Sequence, residues 1–294
     1  MRTGLEQQFE NLRQQNASGG AAETTAISAE SVLSFVVPTE MVDLPSQGKF
    51  YPEGHPLKDK SSIEIKQMTA KEEDILTNKS FIKKGIVIDK LIESLIVDKT
   101  IDVASLLIGD KNAILVAARA AAYGEAYDLL ITCTECGAKK SHQINLSNLD
   151  VTNFDKALEL VKQDEEIKIE NTGLGSVLLK LPKTGWYAEM RPLNGLDERR
   201  MMSIVDSRKG KNMNEELTVS EQLNFIIKSI NTVSDRKMIL DAISIMPATD
   251  AKFLRNIYQK IVPNIRIMTN FGCGSCGAQQ EMEVPFTQEF FWPK

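Results

Sequence analysis

Cys133-Thr134-Glu135-Cys136-Gly137 and Cys273-Gly274-Ser275-Cys276-Gly277 hold all four cysteines of the sequence, and both segments have the form Cys-x-x-Cys-Gly. Two intervening residues let both thiolates of a pair reach one ion. The glycine that follows permits the tight turn that aims backbone amides at sulfur. The flanks extend the pattern: residues 127–132 and 141–146 are strand-like around the first pair, and residues 264–270 and 279–285 bracket the second. Strand, knuckle, strand, twice over, is the plan of a zinc ribbon.

A ribbon written linearly separates its pairs by about 15 to 20 residues, whereas residues 137–272 intervene here. The spacing predicts one structural zinc ion on Cys133, Cys136, Cys273 and Cys276, clasping two distant hairpins around an inserted mixed segment. Four thiolates would close the shell and leave no position for a catalytic water. Structural disulfides are disfavoured in a chain without a secretion signal, and a redox Cys-x-x-Cys calls for a single pair in a βαβ setting. Free or redox thiols and an iron–sulfur or other metal site remain the alternatives. His142, six residues after Cys136, reads as a hairpin surface residue, and His55, between Gly54 and Pro56, as a loop residue.

Composition narrows the function classes. With 294 residues and 42% hydrophobic content the chain can bury a substantial core. Its 40 acidic and 35 basic residues are well mixed and give a formal charge of −5. No broad positive field is available for phosphates, which argues against nucleic acid as the main partner. The first residues, Met1 to Gln8, lack the basic and apolar regions of a secretion signal. No apolar run approaches the roughly 20 residues that a bilayer demands, so a cytoplasmic chain without membrane contact is expected. The longest apolar stretch, Ala113 to Tyr123, carries Arg119 and reads as a core helix.

The pattern along the chain predicts an α+β fold: a mixed helical domain with a small zinc-ribbon β-subdomain formed by the two Cys-x-x-Cys hairpins. Residues 1–34 read as a flexible arm, although Leu5, Phe9 and Leu12 share one helical face. Residues 35–126 read as a loop, strand and helical region, 127–146 as the first half of the ribbon, and 147–263 as an inserted mixed subdomain. Residues 264–294 complete the ribbon and add an aromatic tail. Prolines 38, 45 and 52 and glycines 48 and 54 exclude a helix before the strand at 62–68. Thr69 with Glu72, and Thr218 with Glu221, match the capping box and should open helices, the second carrying Leu223, Ile226, Ile227 and Ile230 on one side. Further helices are expected over 86–97, 102–107, 110–123, 154–162, 235–244 and 250–261, and strands over 167–170 and 177–181.

No catalytic constellation emerges, and the chain is read as a non-enzyme. Two distant histidines are poor material for a nucleophile relay. Asp43 stands where a phosphate-binding loop ending at Gly48-Lys49 would need its first glycine. Ser80-Phe-Ile-Lys83 and Lys183-Thr184-Gly185 match two motifs of serine acyl-enzymes, but the middle motif is missing and the match is taken as chance. Asp164-Glu165-Glu166 and the basic group Arg199, Arg200, Arg208, Lys209 and Lys211 read as solvated surface.

Three phrases carry a resemblance. They are Leu44-Pro-Ser-Gln-Gly-Lys-Phe-Tyr-Pro52, Ile63-Glu-Ile-Lys-Gln-Met-Thr-Ala-Lys-Glu-Glu-Asp-Ile-Leu76 and Lys84-Gly-Ile-Val-Ile-Asp89, and the ending Phe286-Thr-Gln-Glu-Phe-Phe-Trp-Pro293 adds to them. The sequence resembles the baseplate hub subunit family of T-even-type, contractile-tailed bacteriophages. The resemblance implies a late viral protein that builds the tail hub, as a hub component or a chaperone-like assembly factor. It would act in the host cytoplasm during assembly and, if retained, in the virion baseplate, with other hub or assembly proteins as partners. Phe286, Phe290, Phe291 and Trp292 are the residues expected to contact those partners, since aromatic anchors dominate interface energetics; the opposing expectation is that they pack on their own ribbon. A zinc-ribbon adaptor recruiting nucleic acid or a polymerase is the rival function.

Overall fold

The computed structural model describes residues 37–162, 169–172, 175–209, 216–284, 286 and 288–291. The arm at 1–34, Lys211, the acidic group at 164–166 and Trp292 lie outside them. Residues Pro38–Lys294 make one compact unit. In chain order the elements are β1 (Thr39–Asp43), β2 (Ser62–Lys66), α1 (Ala70–Thr77), α2 (Lys79–Lys83), α3 (Val87–Leu95), α4 (Ile108–Tyr123), β3 (Ala126–Thr132), β4 (Lys139–Asn145), β5 (Asp150–Thr152) and α5 (Phe154–Lys162). After these come β6 (Ile169–Asn171), β7 (Val177–Lys180), β8 (Tyr187–Met190), α6 (Gly195–Arg208), α7 (Val219–Ile226), β9 (Ile227–Ile230), α8 (Arg236–Ser244), α9 (Ala248–Ile261), β10 (Asn264–Gly272) and β11 (Gln279–Val284). The mixture is α+β, as its pattern predicts. No described helix is long and apolar enough to cross a membrane.

All described strand pairs are antiparallel. They form the sheets β1-β2, β3-β4, β11-β10-β5 and β6-β7-β8-β9. Buried side chains from both sides of the first hairpin, Leu91 and Ile114 before it and Leu179, Ile239 and Leu254 after it, join one continuous apolar cluster. The segment at 147–263 therefore shares its core with residues 37–126.

Local chemistry explains the helix ends. Both predicted capping boxes form, at Thr69 and Glu72 and at Thr218 and Glu221. Gly124, at φ 85°, stops α4. Differences arise where apolar residues run without a clear period. Ile227 to Ile230, expected to continue a helix, turn into β9 beside β8, where the β-branched Ile227 and Ile230 at its two ends are both buried. The expected helix at 102–107 is only a single 3₁₀ turn, Val103–Ser105, capped by Asp102. Four elements go unforeseen: β1, β5, β8 and α6. The last is opened by Asn194 and Asp197 acting as a capping box.

The phrase at 44–52 folds as a buried turn held by α4. The Asp110 carboxylate, wholly buried, accepts from the Ser46 amide (3.0 Å), the Ser46 hydroxyl (2.6 Å) and the Tyr51 hydroxyl (2.8 Å). Tyr51 in turn accepts from the Leu107 amide. Gly48 sits at φ 72° with its Cα facing backbone, and a Cβ there would stand 2.4 Å from the Lys60 nitrogen. Phe50 meets Phe154 edge to face at 4.6 Å. The prolines and glycines thus serve a packed corner on α4. Asp110→Ala is expected to lower unfolding stability in denaturant by at least about 3 kcal/mol, because three donors lose their acceptor in a dry site. A loss below about 1 kcal/mol would contradict this reading.

Candidate metal centre

The knuckles are near copies of each other. Cys133 donates its amide to the Ala138 carbonyl and accepts at its own carbonyl from Gly137; Cys273 does the same with Ala278 and Gly277. Gly137 and Gly277 adopt φ 72° and 76°, a conformation that costs any other residue strain. These turns swing amides toward sulfur. Ser275 and Cys276 donate to Cys273, Ala138 to Cys136, and Ala278 to Cys276.

The two hairpins meet tip to tip. Cys133 Sγ lies 3.7 Å from Cys276 Sγ, and Cys136 Sγ lies 3.6 Å from Cys273 Sγ. All four sulfurs fall within 4.8 Å of one another. A tetrahedral ion with metal–sulfur bonds of about 2.3 Å needs sulfurs about 3.8 Å apart, so the donor set and its spacing fit a metal ion. Cys133 and Cys273 are buried beneath the tips, while Cys136 and Cys276 face outward. Charge favours the same conclusion. The Cys276 and Ser275 amides draw the Cys273 thiol down to about 6. At Cys276 the Ala278 amide favours the thiolate, but the adjoining Cys136 and Cys273 thiols outweigh it and push the group up to about 12. A second negative sulfur beside the first is thus resisted until a cation neutralises them.

Side chains, not strand pairing, join the hairpins. Among the described residues β3-β4 and β11-β10-β5 remain separate sheets. Beneath the sulfurs, Ile131 and Phe271 form a small apolar cluster with Cys133 and Cys273. His142, expected at the surface, is half-buried and bridges the sheets: its Nε2 is 2.6 Å from Thr269 Oγ1, and its ring meets Phe271 edge on. His55 stacks on Tyr51 at 4.2 Å and bonds Ser105 Oγ, far from the cysteines in the chain.

Both hairpins are rooted on α4. At its start, Gly109 lies so close to the chain ahead of β10 that a Cβ would stand 2.0 Å from the Pro263 oxygen, and Asn112 Nδ2 donates to Asn264 Oδ1 (2.9 Å). At its end, the buried Arg119 donates from Nε to the Phe290 carbonyl (2.8 Å) and from Nη1 to the Gly124 carbonyl (3.2 Å). Its guanidinium lies over the rings of Tyr127 (4.6 Å) and Phe290 (5.5 Å). The only sequence signal for this role is a lone charge in an alanine-rich apolar run.

This corrects the expectation for the aromatic tail. Phe290 and Phe291 are 1% and 0% exposed within the chain's own core, so they are not free for a partner. Phe286 is half-buried and meets Phe290 edge on at 5.3 Å. Three members of the surface basic group are paired: Arg199 with Asp89 (2.9 Å), Arg208 with Glu221, and Lys209 with Asp206 (2.7 Å). Phe271→Ala is expected to lower stability by about 3 kcal/mol or more, measured by denaturant unfolding, because the cluster under the tips would lose its largest side chain.

No curated protein and no solved structure matches the chain. Residues 37–292, from β1 through the buried C-terminal turn, match the family model described as T4 bacteriophage base plate protein. The matched span contains the Asp110-anchored corner, α4 and both cysteine hairpins, and the chain belongs to the T4 bacteriophage base plate protein family.

Proposed function

We propose that the chain is a non-enzymatic part of the baseplate hub, or a factor that assembles it, and that its four cysteines hold one structural zinc ion. Family membership supports the coarser statement directly: this is a phage baseplate component, and its partners are other baseplate proteins. The observation that carries the finer reading is the convergence of two Cys-x-x-Cys-Gly knuckles, 137 residues apart at Cys136 and Cys273, with tetrahedral sulfur spacing. Zinc is the common occupant of a closed four-thiolate shell, and such a shell supports folding instead of chemistry.

The surroundings of Ser80, Lys183, Thr184 and the two histidines favour a scaffold. Ser80 is exposed on the short helix α2. Lys183 and Thr184 belong to a turn gripped by the buried Asp250, which accepts from both amides (2.8 and 3.0 Å) and from the Thr184 hydroxyl (2.7 Å). Each histidine is engaged in a packing contact.

Two measurements test the proposal. A strong chelator is expected to lower the melting temperature of the native chain by an amount equivalent to several kcal/mol, since metal binding is coupled to folding. Cys136→Ser should melt lower from the outset and lose that response; a native chain indifferent to chelation would overturn the zinc assignment. For the role, quantitative mass spectrometry of purified mature particles is expected to find the chain at a fixed ratio to other hub proteins if it is a hub component. Its absence from particles, with baseplates failing to form when its gene is disrupted, would assign it to assembly. Normal baseplates without it would refute both versions.

A further inference from the structure

The cysteines close the hairpins at their tips, but something must hold the roots. Arg119 is placed to do so, since its two hydrogen bonds reach the chain just ahead of β3, at Gly124, and the segment that follows β11, at Phe290, six residues past Val284. These points are 171 residues apart from Arg119 in one case and five in the other. One guanidinium therefore touches the chain that enters the first hairpin and the chain that follows the second. It is 1% exposed, and among the described residues no ion pair satisfies it. Carbonyl oxygens and ring faces do so instead. The ring of Tyr127, the second residue of β3, packs on Phe290 at 5.1 Å and closes the same junction. The tip cluster is small by comparison, with four buried residues, two of them cysteines.

We propose that Arg119 is a positioning residue for the cysteine cluster: it keeps the hairpin roots in register without metal, so that the four thiols are presented together when an ion arrives. The metal part of this inference rests on the zinc reading, and the rooting part does not. A site assembled in advance binds its ion without first ordering two hairpins, which removes an entropic cost from metal capture.

The test uses the full chain stripped with a chelator and compares native protein with Arg119→Met and Arg119→Lys by hydrogen-exchange mass spectrometry. The native chain should keep its protection over residues 126–132 and 264–272 after stripping. Arg119→Met should lose about tenfold or more of that protection, the fold-change corresponding to a lost charge-assisted hydrogen bond, with β1-β2 unchanged. Arg119→Lys, which can still donate to a carbonyl, should recover part of the loss. Zinc transfer from the metal-loaded chain to a chelator should accelerate about tenfold in Arg119→Met. Should that variant not fold, Phe290→Leu keeps an apolar side chain and the carbonyl while removing the ring, and should shift the same segments in the same direction. Equal protection in native and variant hairpins, or a loss spread evenly to β1-β2 in both variants, would overturn the proposal. A native chain that takes up no zinc would sink the zinc reading alone, because the exchange comparison on stripped protein still decides the role of Arg119.

Discussion

Four sulfurs within 4.8 Å of one another pose an electrostatic problem that the surrounding fold is arranged to meet. Thiolates at that distance repel strongly unless a cation lies among them. The knuckle amides soften the repulsion and the glycines make their approach possible, but neither supplies a full positive charge. Each hairpin on its own is also weak, since an isolated pair of strands buries little apolar surface. Repulsion at the tips and thin cores behind them leave a place where a metal ion would lock the tips together, above roots that α4 already holds.

What brings the tips together is α4. Its first turn holds the chain entering β10 through Gly109 and Asn112, and its last turn holds the chain entering β3 and leaving β11 through Arg119. The same helix carries Asp110, which fixes the corner at 44–52. A single helix thus connects a buried polar anchor with both cysteine hairpins. This explains why a long stretch of sequence can lie between the cysteine pairs without separating them. Lys111, one step on from Asp110, adds a buried contact to Asp89 and Glu198 that ties α3 and α6 to the same spine. Because Asp110, Lys111 and Arg119 are buried and partnered, the spine is costly to deform.

Features written in local spacing were legible in the sequence. The two knuckles, the capping boxes at Thr69 and Thr218 and the glycine stop at 124 each depend on residues a few positions apart, and each appears where it was read. Long-range features were not. Arg119 looked like a lone charge in a core helix because its partner, the Phe290 carbonyl, is 171 residues away. The aromatic ending looked like an interface for the same reason: nothing near it in sequence reveals the guanidinium and tyrosine that cover it. The segment Ile226 to Ile230 defeated periodicity: Ile226 and Ile230 are four apart, as on one face of a helix, yet α7 ends at Ile226 and the chain pairs with β8 from Ile227. α6 was hidden by its polar surface, though Asn194-Gly-Leu-Asp197 carried its capping signal.

Whether the four cysteines share one ion is decided by X-ray absorption at the zinc edge of the purified native chain. The expected first shell is four sulfur atoms at about 2.3 Å with no nitrogen or oxygen. A shell containing water or histidine nitrogen, or a protein purified without any metal, would contradict it.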